Sequence, residues 1–512
     1  SADLRAVGFS GKYGSRRSGS SGSGRSITKM SGDYSGGIAG SGGSVLASNN
    51  SGTTWVSQNG VYWSDTTWSN SESPNINIVG DIQIPSGVKL TIESGVVVQF
   101  EGAYEILVKG SVAVNGTEAQ PVIFQSPTEG TSSEATVFHF KETDLSLSSM
   151  SHVKFSDSTY AIRIGGESNF NTLDIDTVEI KNAEVRADTH NVTQKASGGD
   201  SSKAKGKVVL DNVTLDTVTI RTVHPWSEEI DVKNGTAVDS LMYVDDYGGK
   251  ITTENMTVSN SKYYIGCCDS YLDIKNSTLL ASSLNGRNGT TLIQNSRLIG
   301  TPIRLNENYG SLTIEDSVIE YNTESRTFQG GWDSSSYAGE YGIKAGTTID
   351  IKRSTIRGPG SGIGVDVRSY RRDISITDSV ISGTEKAIQV NGTYRDSNTI
   401  EITGNNFSGN SEYVIENLTT KNITATGNYW GSSDESVIKA SIFDYLDDID
   451  YGVVDYSGNL SAASTSVSPA PPANLSGQTG QTTMELSWTA NAESDIAGYK
   501  VYYDTDGSGY PY

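Results

Sequence analysis

The chain has 512 residues, with 56 glycines, only 11 prolines and 19% charged residues. That length exceeds one compact core unless the architecture grows by repetition, and the Gly-rich texture favours strands joined by tight turns over helices. A formal net charge of −22 argues against nucleic acid and anionic membrane as partners, and the sequence has no run of the roughly 18 apolar residues that a membrane span needs.

In chain order, residues 1–53 come first and form a Gly/Ser-rich arm carrying Arg5, Lys12, Arg16, Arg17, Arg25 and Lys29. By composition this is a flexible linker. A basic arm ahead of an acidic body also suits docking on a neighbouring copy. Residues 54–460 form the body. Between 88 and 126 the runs LTIESGVVVQF, ILVKGSVAVNGT and PVIFQS are short, β-rich and broken by Gly-containing turns.

A repeat then emerges: VVLDNVTL (208–215), ITTENMTV (251–258), LDIKNSTL (272–279), TLIQNSRL (291–298), LTIEDSVI (312–319), IDIKRSTI (349–356), ISITDSVI (374–381), IEITGNNF (400–407) and ITATGNYW (423–430). The template is apolar, any, apolar, two polar, small or amide, any, apolar. Copies start 43, 21, 19, 21, 37, 25, 26 and 23 residues apart. Each long interval is one coil plus an outgrowth, or two coils with the middle one unrecognised.

Alternation puts every second side chain on one face, and no copy can bury that face alone. Stacked copies can. The expected columns are Leu210, Ile274, Ile293, Ile314, Ile351, Ile376, Ile402 and Leu215, Leu279, Leu298, Ile319, Ile356, Ile381, Phe407. A polar column, Ser277, Ser296, Ser317, Ser354, Ser379, Asn405 and Asn428, falls at the turn, where Ser and Asn bond local backbone and Asn tolerates left-handed geometry. Leucine-rich repeats and β-propellers demand other signatures. The fold expected is all-β, a parallel β-helix. Outgrowths are expected near Ala187–Lys205 and Phe328–Tyr341.

From 423 to 456 the texture changes. Tyr429 and Trp430 are expected to cap the last coil, with Trp430 in the slot of Phe407. Ser432-Ser433-Asp434-Glu435 has the form of a capping box, and Val437, Ile438, Ser441 and Ile442 form one apolar helix face. Residues 461–473 are a linker, and 474–512 open a new module.

The first coils and the GNYWG close resemble right-handed parallel β-helix proteins of the pectate-lyase-like superfamily, over about residues 74–460. MELSWTANAESDIAGYKVYY resembles the first strands of a fibronectin type III domain, with Trp488 in its core and Tyr499, Tyr502 and Tyr503 on the next strand. Such a sandwich needs about twice this length, so the chain is expected to continue past Tyr512 or to be completed by another. The β-helix resemblance implies export to the cell surface but no single activity, since lyases, hydrolases, adhesins and surface-layer proteins share that fold.

Chemistry is sparsely written. The four histidines, His139, His152, His190 and His224, share no motif spacing, and no hydrolase, zinc or nucleotide motif appears. No catalytic residue and no cofactor is assigned. Cys267-Cys268 reads as two small half-buried residues, with a vicinal bridge and a crosslink to another chain as alternatives. Asp366, Arg368, Arg371, Arg372 and Asp373 form a corner cluster that could hold a uronate carboxylate. Asp444, Asp447, Asp448 and Asp450 offer oxygen ligands for calcium. Fourteen Asn-x-Ser/Thr sites occur, among them Asn115, Asn212, Asn234, Asn276, Asn288, Asn391, Asn417 and Asn422; they permit glycosylation. The function expected is a non-enzymatic extracellular protein that assembles with copies of itself into a filament, sheath or surface layer. A glycan- or surface-binding adhesin using Trp63, Trp68, Trp332 and Tyr337 is the first alternative. A polysaccharide lyase or hydrolase is the second.

Overall fold

The computed structural model describes residues 45–48 and most of 54–467. Its gaps there are 72–73, 166–170, 189–205, 224–227, 246–248, 267, 269, 306–309, 328–335, 339, 371 and 466; beyond 467 it describes mainly two strands. The basic arm apart from Val45–Ser48, the centre of the first outgrowth, and Trp332, Arg371, Tyr502 and Tyr503 therefore lie outside the described residues. The chain divides into two compact units, Ser1–Thr278 and Leu279–Tyr512. Each is a parallel β-solenoid built from three sheets.

In the first unit, sheet A stacks the end of Asn75–Ile84, then Glu105–Val108, Thr136–Phe140, Tyr160–Gly165, Glu184–Asp188, Thr219–Val223, Leu241–Val244 and Lys262–Ile265. Sheets B and C begin as separate strands. From Ser149–Ser156 through Asn171–Lys181, Gly206–Asp216, Glu229–Val238 and Gly249–Ser259, one bent strand serves both. The bend is a single residue at positive φ: His152, Thr177, Asn212, Asn234 and Asn255 in successive coils. Asn and Gly accept this region most readily, which is why asparagine recurs there.

Inside, Ile175, Leu210, Val232, Thr253 and Ile274 lie in register, and so do Ile180, Leu215, Ala237 and Val258. The long interval after 208 is thus two coils. The unrecognised one is 229–238, where Ala237 stands in the final apolar slot and Gly235 in the small one. A Cβ on Gly235 would lie 1.8 Å from the Val213 carbonyl oxygen, so the backbones meet where no side chain fits. Thr253 is a polar member of its column. It sits beside fully buried Tyr263, whose hydroxyl donates to Thr253 Oγ1 at 3.4 Å.

In the second unit, Ile293, Ile314, Ile351, Ile376 and Ile402 stack in register, as do Leu298, Ile319, Ile356, Ile381 and Phe407. The interval after 312 is one coil plus an outgrowth, which carries the antiparallel pair Ser325–Thr327 and Ser336–Ala338. Tyr341 begins a coil strand and is buried, so it belongs to the body rather than the outgrowth. Ala187 likewise is a buried strand residue.

The polar column sits one residue past the bend. Asn276, Asn295, Asp316, Arg353, Asp378, Gly404 and Gly427 adopt positive φ, and the buried Ser or Asn after each does not. These side chains bind coil to coil. The Ser296 N–H donates to Ser317 Oγ (3.1 Å), Ser317 to Ser354 (3.2 Å), Ser354 to Ser379 (3.1 Å), Ser379 to Asn405 Oδ1 (3.0 Å) and Asn405 to Asn428 Oδ1 (2.8 Å). Each serine hydroxyl in turn donates to the carbonyl two residues earlier. A turn amide that sheet pairing leaves unbonded therefore finds an acceptor in the next coil. A second such ladder occupies the corner leading into sheet A, at Ser240 and Ser261, at Ser282 and Thr301, and at Thr384 and Asn410.

Trp430 is buried against Phe407 (5.7 Å) and Tyr456 (6.3 Å). Tyr429 bridges Asn406. The helix is Glu435–Ala440, and its N-cap is Asp434 rather than Ser432, accepting the Ser436 N–H at 2.8 Å. Only Ile438 of the helix is buried. Val437 is exposed, and Ile442 belongs to the next strand.

Past the cap, the stretch that composition marks as linker turns back along the stack. The Leu460 N–H reaches the Asn428 carbonyl (2.8 Å), Ser464 pairs twice with Asn406 (2.8 and 3.0 Å), and Val467 packs on Val380. Asn428, Asn406 and Val380 belong to three successive coils, so the strap runs from the last coil to earlier ones. Beyond it, Ala473–Thr479 and Met484–Thr489 pair antiparallel, with Trp488 5.1 Å from Tyr499. Among the described residues no helix is long and apolar enough to cross a membrane.

Candidate functional face

The outer face of sheet A gathers the most varied chemistry in both units. In the first, the inner register Ile106, Phe138, Ile162, Val185, Ile220, Met242 and Tyr263 fixes the outer one: Leu107, His139, Arg163, Arg186, Arg221, Tyr243 and Tyr264. Neighbouring strands lie about 4.8 Å apart, so three guanidinium groups on consecutive coils must be neutralised locally. Arg163 binds Asp188 at 2.9 Å, Arg186 contacts Asp188 (3.4 Å) and Tyr160 Oη (3.1 Å), and Arg221 binds Asp245 at 2.9 Å. Arg221 lies 4.6 Å over the Tyr243 ring, which stacks on Tyr264 at 4.7 Å. The buried Nε–H of Arg163, Arg186 and Arg221 has no hydrogen-bond partner, the 3.4 Å approach of Arg186 to Asp188 being too poorly aligned to be one. Burial pushes the Glu184 carboxyl above its usual range against the pull of Arg186. A hydrogen bond from His139 (2.9 Å) holds Glu105 below it.

In the second unit the outer register is Asn285, Arg304, Lys344, Asp366, Gln389, Glu416 and Phe443. Asp366 is fully buried although it lies on the outer face. Its carboxylate takes the Arg368 Nε–H (3.0 and 3.2 Å), with Lys344 Nζ at 3.9 Å. Burial raises the Asp366 carboxyl and lowers the Lys344 ammonium, which rests 4.6 Å over Tyr341. Lys386 binds Glu416 at 2.8 Å, and Gln389 donates to the same carboxylate.

The five-residue corner cluster resolves differently. Asp366 and Arg368 pair within this column. Asp373 instead accepts the Thr399 N–H at 2.8 Å, which holds its carboxyl low, and secures a turn. The acidic run is likewise engaged with backbone. Asp444 accepts from Leu446 (2.9 Å) and Val454 (2.8 Å), Asp447 from Asp444 (3.1 Å) and Asp448 from Asp450 (3.0 Å). Among the described residues no group of three or more His, Cys, Asp or Glu converges as a metal would need. Cys268 is exposed and disulfide-bonded, and the chain's only other cysteine is its neighbour Cys267. This corrects the reading of two unbridged half-buried residues. Trp68 is a core residue at 2% exposure and cannot contact a glycan, whereas Trp63 is 62% exposed. Asn417 is fully buried, its amide donating to the Lys421 and Gly452 carbonyls, so this sequon is closed in the fold. Asn212, Asn234 and Asn276 are the bend residues themselves.

Sequence reasoning missed the arginine column. Its members are 23 and 35 residues apart, and the loops between them follow no period. No family model and no curated protein sequence matches this chain.

Proposed function

We propose that this chain is a non-enzymatic structural protein of the cell exterior, a subunit of a filament, sheath or surface layer. The observation that supports this reading is where the outward charges go. Asp188, Asp231, Asp273, Asp366 and Glu416 each face one or two cations of their own or a neighbouring coil. Carboxylates held this way brace the stack and leave the surface quiet toward small solutes, as a building block requires. Negative-stain electron microscopy of the native material tests it. Ordered fibres or sheets support the reading, and dispersed single particles at all concentrations sink it.

A second reading rests on the first unit's sheet A face. Three partly exposed arginines, alternating with carboxylates and tyrosine hydroxyls, suit the hydroxyls of an extended, uncharged glycan. The balance of charge disfavours a polyanion. Binding of neutral oligosaccharides that is insensitive to salt and lost in Arg186→Met, with the melting temperature kept, would support this use.

A further inference from the structure

We propose that the loop after the C-terminal helix is an end-on docking surface, and that its occupant is the basic arm, residues 1–44, of a second copy of this chain. The inference rests on the structural reading above and names the contact by which copies join.

Leu446 and Ile449 are 76% and 78% exposed, the most open large apolar side chains among the described residues, and Tyr445 and Val453 beside them are 47% and 41% exposed. Asp447 and Asp448 both donate N–H to the Asp444 carbonyl, so 444–448 is one helical turn. Leu446 lies on this turn, and Ile449 follows it directly on a second turn that the Tyr451 N–H closes at the Asp448 carbonyl (3.1 Å). This exposure is not fraying. The Asp444 carboxylate, 4% exposed, clamps the N–H groups of Leu446 and Val454, Asn422 Oδ1 takes that of Val453 (2.9 Å), and Gly452 N–H reaches the Thr419 carbonyl (2.7 Å). Behind the loop, Phe443 packs on Tyr413 (5.6 Å) and Tyr451 (5.8 Å). A loop so fastened could have turned its apolar residues inward; one that holds them in water marks an interaction site.

Charge selects the occupant. From Lys439 to Lys500 no basic residue intervenes, while Asp444, Asp447, Asp448, Asp450 and Asp455 all fall by residue 455. Residues 1–44 carry six Lys/Arg against Asp3 and Asp33, a net of +4, so the remaining 468 residues carry −22 − 4 = −26. The arm also supplies apolar groups for the patch, Phe9, Tyr13, Ile27 and Tyr34 among them. Such a contact joins two different surfaces of identical chains, and contacts of that type propagate into open fibres.

The test compares three full-length proteins: wild type, Leu446→Asp/Ile449→Asp, and Arg16→Glu/Arg17→Glu/Arg25→Glu/Lys29→Glu. Circular dichroism and melting confirm that each folds, and light scattering with electron microscopy reads assembly. Wild type is expected to assemble, less so as salt rises, because exposed charges are screened beyond about 10 Å at 0.1 M. Each variant alone should need about a hundredfold higher concentration. Mixed together, they should form 1:1 pairs and no fibres, since one keeps its arm and the other its patch. A patch variant that assembles like wild type overturns the proposal and leaves the structural reading standing. An arm variant that assembles like wild type assigns the patch to another segment and also overturns it. Failure to pair in the mixture, with Leu446 shielded in dilute monomeric wild type, would show an arm folded onto its own chain and overturn the contact between copies. Wild type that never assembles sinks the structural reading itself.

Discussion

Single residues set the path of each coil, and the two buried ladders show how. Ser354 Oγ accepts the Ser317 N–H and donates to the Lys352 carbonyl. Ser354→Ala leaves both without that partner, and a buried unsatisfied group costs about 1–3 kcal/mol. A denaturant midpoint lower by that amount, with unchanged m, is expected. Glu184 tests electrostatics at the same scale. Its folded pKa lies above the ordinary 4.5 because burial disfavours the charge. The folded state therefore binds more protons than the unfolded chain above pH 4.5, and stability falls as pH rises through the folded value. Glu184→Gln removes that loss. Its melting temperature should match wild type near pH 4 and exceed it at pH 7; equal temperatures at both would show that Arg186 and Arg221 cancel the burial. The serine and asparagine positions were legible in sequence because they recur in phase. That the left-handed residue is the one before them was not, since Asn, Asp, Arg and Gly all fill it.

At the scale of the coil, the template located strands of sheets B and C because a two-residue alternation survives loop variation. It lost 229–238, where Ala237 and Gly235 replace larger residues. That loss has a physical origin: Gly235 abuts the Val213 carbonyl, so the coil trades side-chain volume for backbone contact. Gly235→Ala should cost about 3 kcal/mol, at the upper end for overpacking, and hydrogen exchange should show the loss concentrated in 206–216 and 229–238. Sheet A was nearly invisible in sequence. The strands that carry the arginines are followed by long and irregular connections, from Asp188 to Gly206 and from Val223 to Glu229, so Arg163, Arg186 and Arg221 align only in three dimensions. Trp430 packs on Phe407, while the start of the helix was less legible, because Ser432, Ser433 and Asp434 are all competent N-caps and only the path of the chain selects Asp434.

For the molecule as a whole, composition announced a repetitive β architecture, and the parallel solenoid follows from it. What composition hid was the strap. SGNLSAASTSV has the texture of a tether, yet it lies along three coils through Leu460, Ser464 and Val467. This geometry has a mechanical consequence. A load pulling the chain away from the cap beyond Val467 meets the strap folded against the direction of pull. Its contacts then break in succession, Val467 first and Leu460 last, before any tension reaches the Trp430 plug. Stretched singly, the molecule should yield in a low-force step of about ten residues' slack, roughly 35 Å at full extension, ahead of solenoid rupture. Val467→Ser should weaken that step and leave the rupture force unchanged. The backward turn acts as a mechanical fuse between the solenoid and whatever it tows.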